Sequence, residues 1–223
     1  GGSSAATVAS AASESVSTAA SLPGSNAQTV TSVSNAISST SQMADVSSAT
    51  ITTVANAITQ VSVAQNTPQM TQLVASTIAT TANMQGMTNQ SLTQVASSLT
   101  SIATQTGVKA NTLLNIQNMV TNFANNSAQM PAHLSGLLST IASFSGRISN
   151  QAMSNLTNLI SILSDKLDAG ATKALNNFLK TIDGLGKLNE FLSKLDNVQN
   201  LQMLLGRPRK QIFSTCSGVT LYF

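Results

Sequence analysis

Very little in this chain could do chemistry. Among its 223 residues there are one Cys, one His, one Tyr, no Trp, seven acids and ten bases. Catalytic sites draw on His, Asp, Glu, Lys and Cys, and that supply is thin enough that a non-enzymatic role without cofactor is expected. A single cysteine excludes an intrachain disulfide framework. One Cys with one His excludes a zinc ligand set. Scattered bases with one Tyr make no basic stripe interleaved with stacking aromatics, so nucleic acid is not an expected partner. Neither G-x-S-x-G nor a Gly-rich phosphate loop occurs. His133, two residues after Pro131, is read as structural or exposed at a helix start.

Other absences narrow the class further. No apolar run approaches the roughly 18 residues of a spanning helix, and no basic-then-apolar segment opens the chain. It begins at Gly1-Gly2 without an initiating Met, which fits a processed product or a fragment. Residues 1–108 contain Glu14 and Asp45 and no Lys or Arg, so the net charge of +3 belongs to the second half.

What is present is hydroxyl and amide: 33 Ser, 27 Thr and 20 Asn. Leu, Ile, Val and Phe number 23, 12, 14 and 6, about a quarter of the chain and above the roughly 20% below which disorder is expected. A core can form. Residues 1–27 are Gly, Ser, Ala and Thr with few large apolar side chains, and read as a flexible low-complexity arm ending at Pro23-Gly24. From residue 28 the pattern changes. Val30, Val33, Ile37, Ile51, Val54, Ile58 and Val61 fall on one 3,4 spacing, completed by Thr40, Ala44 and Ser47. Leu92, Val95, Leu99, Ile102, Leu113, Ile116, Val120 and Phe123 fall on a second that continues to Ile148. Such seams place apolar positions against partner helices, and these residues are the candidate assembly seam.

Thr67-Pro68 reads as a helix start, with Thr as cap and Pro at the first position. Breaks are expected at Pro68, Gly86, Gly107, Pro131, Gly146 and Gly170, giving helices of roughly 15–20 residues, about 25–30 Å long. No residues match at a fixed period, so no solenoid repeat is expected. Further on, Leu156, Ile160, Leu163 and Leu167 form one stripe. Leu175, Phe178, Ile182 and Leu185 form a second, and Leu188, Phe191, Leu195 and Val198 a third.

Lys166, Lys173, Lys180, Lys187 and Lys194 recur every seventh residue, with Asp183–Lys187 and Glu190–Lys194 as expected i,i+4 pairs. A solvated helix face explains them, with a basic stripe for an anionic partner as the other reading. Gly206-Arg207-Pro208 reads as a helix stop. Arg207, Arg209 and Lys210 fit either that stop or a processing site. Residues 211–216 and 219–223 are β-prone. Cys216 between them is read as a small half-buried side chain or as half of an intermolecular disulfide. N-x-S/T triplets occur at Asn89, Asn125 and Asn155, against about five expected from random order, so their number says nothing about secretion.

The expected fold is therefore all-α: a multi-helix bundle or coiled-coil-like packing over 28–206, a flexible arm over 1–27 and a β-prone tail over 207–223. The arm at Ser3 to Ala20, the heptads without charged flanks and the sparse aromatics resemble secreted helical silk and fibre proteins. That resemblance implies an extracellular structural protein assembling with itself or with related helical chains. The stretch from Ile51 to Asn126, with Leu92-Thr93-Gln94-Val95-Ala96-Ser97-Ser98-Leu99 and Leu113-Leu114-Asn115-Ile116-Gln117-Asn118-Met119-Val120, is similar in rhythm to the helical part preceding the autoproteolytic β-sandwich of adhesion receptors and polycystin-like proteins. This second resemblance implies a helical module of a larger extracellular protein. A third reading is membrane contact through the amphipathic stretch Leu175 to Leu205, with Lys on its polar side.

Overall fold

Ser4, Asn26, Ser47, Thr88, Ser149 and Asp168 each turn a side-chain oxygen onto a backbone N–H of the following first turn. Those donors would otherwise lack partners, so each such residue fixes where a helix begins. In the computed structural model, residues 4–126 and 131–195 are described, with the backbone of 211–214 and 220–222. The helices are α1 (Ala5–Ala20), α2 (Ala27–Ser41), α3 (Ser48–Gln65), α4 (Pro68–Ala82), α5 (Asn89–Ala103), α6 (Ala110–Asn125), α7 (Pro131–Ser143), α8 (Asn150–Leu163), α9 (Ala169–Gly184) and the short α10 (Leu188–Ser193). Strands β1 (Gln211–Ser214) and β2 (Thr220–Tyr222) pair antiparallel in the region where the sequence turns β-prone. Cys216, Val198, Arg207, Arg209 and Lys210 lie outside the described residues.

Loops between helices are short, and most reverse the chain through a left-handed residue: Gly24, Asp45, Asn66, Gly86, Gly107, Gly146 and Gly186 all have φ between 53° and 79°. From 24 to 107 these residues follow one another in steps of 20 or 21. Each helix therefore folds back on the one before it. The broadest interfaces, however, join helices two apart: α1 with α3, α2 with α4, α3 with α5, α4 with α6, α5 with α7 and α6 with α8.

Cross-links show that these next-neighbour helices run parallel and in register. Asn89 at the start of α5 bonds to Ser47 and Thr50 at the start of α3. At the other end, Gln65 of α3 donates to the Ala103 carbonyl at the end of α5. Thr29 and Ser39 of α2 meet Gln72 and Asn83 of α4 in the same sense. The result is a two-layer stack, odd helices in one layer and even helices in the other, advancing by one antiparallel pair about every 41 residues. The all-α expectation stands. The expectation of no repeat does not, because caps, left-handed turns and polar or apolar positions recur while residue identities do not.

Three further expectations are corrected. Residues 5–20 are helix α1, not a flexible arm, and no boundary falls at residue 27. Ala is the strongest helix former, Ser4 caps the start, and Ala11, Ser15 and Ala19 are buried. The unbroken 3,4 spacing from Val30 to Val61 crosses a loop between α2 and α3, where Asp45 takes the φ of 53° usually left to glycine. Without Gly or Pro that turn is hidden in the sequence. Gly170 is not a break either: it sits inside the first turn of α9, and the break precedes it, ending at the Asp168 cap.

Between the layers lies one continuous core running from Ala11 to Leu192. It contains many hydroxyls. Buried Ser15, Thr40, Ser62, Thr77 and Thr81 donate to the carbonyl four residues back, at 2.7 to 2.8 Å. Each hydroxyl finds its acceptor within its own helix and can be buried without leaving an unmet donor. Ser and Thr are therefore core as well as exterior residues here.

Candidate functional site

The candidate seam is used up inside the chain. Val33, Ile37, Ile51, Val54, Ile58, Val61, Leu92, Val95, Leu99, Ile102, Leu113, Ile116, Val120 and Phe123 are all buried in the core between the two layers. Val30 is half-buried. Their partners are neighbouring helices of the same chain. A surface offered to another molecule has to be sought on the outer faces of the stack.

No reactive constellation stands out there. Among the described residues no three His, Cys, Asp or Glu side chains gather as a metal site would require. His133 is half-buried near the start of α7 and its Nδ1 is without a hydrogen-bond partner. No described helix is long and apolar enough to cross a membrane. The apolar stripe of α9 turns inward, with Leu175, Phe178 and Ile182 buried and only Leu185 exposed.

What the outer surface does carry is a set of polar ties between successive layers. Asn89 is the fullest: its Oδ1 accepts from the Ser47 N–H at 2.9 Å and the Thr50 hydroxyl at 2.8 Å, and its Nδ2 donates to the Asp45 carbonyl at 2.8 Å. Asn150 repeats the device one loop system along, donating to the Thr106 carbonyl at 3.1 Å, and Asn189 accepts from the Ser149 N–H at 3.1 Å. Each of these Asn side chains, in the first turn of its helix, holds the reverse turn of the preceding layer. Along α6 and α8, Lys109 meets Gln151, Asn115 meets Thr157 and Asn122 meets Ser164, each pair 42 residues apart. Asn in a first helical turn recurs visibly in the sequence at 89, 150 and 189. That recurrence was the available sign of the stack.

Charge enters only toward the C-terminal end. Arg147 lies 5.6 Å from the ring centre of Phe144 and clasps Asp183 through two bonds of 2.9 and 2.8 Å. Asp183 is therefore tied across the α7–α8 turn to α9 and does not form the expected pair with Lys187, because α9 ends at Gly184 and the chain turns at Gly186. The hydrogen bond from Arg147 to Asp183, helped by their opposite charges, raises the guanidinium pKa further. The Glu190–Lys194 pair forms at 2.7 Å, with Lys187 at 3.7 Å from the same carboxylate. Glu190 is held below the usual carboxylate range, first by the hydrogen bond from Lys194 and then by the charges of Lys194 and Lys187. All five heptad-spaced Lys are exposed.

Over α1 to α5 the exterior is nearly free of ions. Glu14 and Asp45, both exposed, are the ionisable side chains of residues 4–108; the rest of the outer face is Ser, Thr, Asn, Gln and Ala. Shallow open grooves separate the odd helices. Two of about 350 and 450 Å³ lie between α1 and α3, and one of about 500 Å³ lies between α3 and α5, lined mainly by hydroxyl, amide and Ala side chains. Large exposed apolar side chains are single and far apart in the fold: Val63 in α3, Leu114 in α6 and Leu185 after α9. No protein-family model, curated protein or solved structure shows a significant match to this chain.

Proposed function

We propose that this chain is a non-catalytic structural protein, a stacked-helix element that associates with further copies or with related helical chains outside the cell. The observation that carries this reading is the exterior of α1 to α5, which spans five helices with two ionised side chains, Glu14 and Asp45. Net charge keeps molecules apart through long-range repulsion. A surface of hydroxyls, amides and methyl groups lacks that repulsion and favours lateral contact when concentrated. Association through this surface leaves the core intact, since the apolar seam remains inside each copy.

Sedimentation velocity over a wide range of protein concentrations tests the proposal. Oligomers that grow with concentration and respond weakly to added salt are expected, because screening has few charges to act on. A chain that stays monomeric throughout would overturn it. That outcome would favour a second reading, a helical module within a larger extracellular protein, supported by the placement of the seam residues in the chain's own core.

A further inference from the structure

Three Asn residues head N-x-S/T triplets, and their surroundings differ sharply. Asn155 is buried at 9% exposure, and its Nδ2 donates to the Leu192 carbonyl at 2.8 Å while its Oδ1 accepts from Gln151. A glycan on that nitrogen would remove a donor and force a bulky polar chain into the core. Asn89 uses both side-chain atoms to hold the turn at Asp45, and the third residue of its triplet, Ser91, is buried. A sugar there would replace an N–H that ties two layers together. Asn125, by contrast, is the exposed last residue of α6, and no described hydrogen bond holds its side chain.

We infer that Asn125 is the acceptor of an N-linked glycan and that Asn89 and Asn155 stay unmodified in the folded chain. The inference rests on the extracellular part of the proposal above, since the modification belongs to secreted proteins. In the transfer, Asn125 Nδ2 loses one proton and bonds to the anomeric carbon of an oligosaccharide carried on a lipid diphosphate. The bond from that carbon to the diphosphate oxygen breaks, and the lipid diphosphate leaves with the electron pair. A hydrophilic chain at this position would project from the end of α6 and mark one edge of the stack as unavailable for lateral contact.

The test expresses the full chain behind a secretory leader in glycosylating eukaryotic cells and maps the secreted product by peptide mass spectrometry, before and after an amidase that leaves Asp where a glycan was attached. Conversion at Asn125 alone is expected. Asn125→Gln should abolish the gel shift, and Asn89→Gln should leave it unchanged. A secreted chain without glycan, or one modified at Asn89 or Asn155, overturns the inference. Because the leader imposes the route, such a failure is separate from that of the extracellular reading, which is checked by locating the natural protein in its own tissue.

Discussion

Asn89 shows how much of this fold hangs on single polar side chains. Three hydrogen bonds converge on it, two from the cap and first turn of α3 and one to the preceding turn. Its removal leaves the Ser47 N–H and the Asp45 carbonyl to find water at a partly covered site. Losing such partners costs roughly 1–3 kcal/mol, so Asn89→Ala should lower the urea midpoint by that equivalent without changing helical circular dichroism. An unchanged midpoint would mean that the tie is ornamental. In the sequence, Asn89 reads only as the head of an N-x-S triplet. Its partners lie 39 to 44 residues away, a distance at which no local pattern shows which groups meet.

Turns carry the next level of control. Seven described loop positions need positive φ, and five of the seven are Gly, which explains why Gly86, Gly107 and Gly146 were readable as breaks. Gly107 has a second constraint, since a Cβ there would sit 2.8 Å from Asn150 Nδ2. Gly107→Ala combines that clash with a left-handed penalty of about 1–2 kcal/mol, and it should also loosen the Asn150 tie. Asp45→Gly should differ from the parent by no more than about 1 kcal/mol, relief at φ 53° offsetting the extra freedom of glycine in the unfolded chain. Paired denaturation curves check the contrast. Equal losses would show that the turns tolerate either conformation.

Considered as a whole, the molecule is nearly one-dimensional: each helix meets its sequence neighbours and next neighbours, so stability is a sum of local interfaces. Ile116, 1% exposed in α6, sits in the middle of that chain of contacts. A buried, unpaired carboxylate is among the few changes expected to cost more than about 4 kcal/mol. Ile116→Asp should therefore uncouple the stack, with amide exchange rising first in α6 and its neighbours α4 and α8 and least in α1 and α2. A uniform rise along the whole chain would contradict the stacked arrangement.

Local rules made much of this protein legible. Apolar side chains at three- and four-residue spacing can be buried together only by helices, so helix class, the breaks at Pro68, Gly86, Gly107, Pro131 and Gly146, and the buried identity of Leu92 through Phe123 follow from order along the chain. The same spacing is silent about which helix each residue meets. Only the tertiary structure decided that Val33 and Ile116 face their own chain, that α1 closes one end of the stack instead of trailing as an arm, and that Asp183 reaches Arg147 and not Lys187. Apolar burial has no direction of its own. The partner was chosen by turn geometry and by ties such as Asn89 and Asn150, whose bonds exist only once distant layers are already side by side.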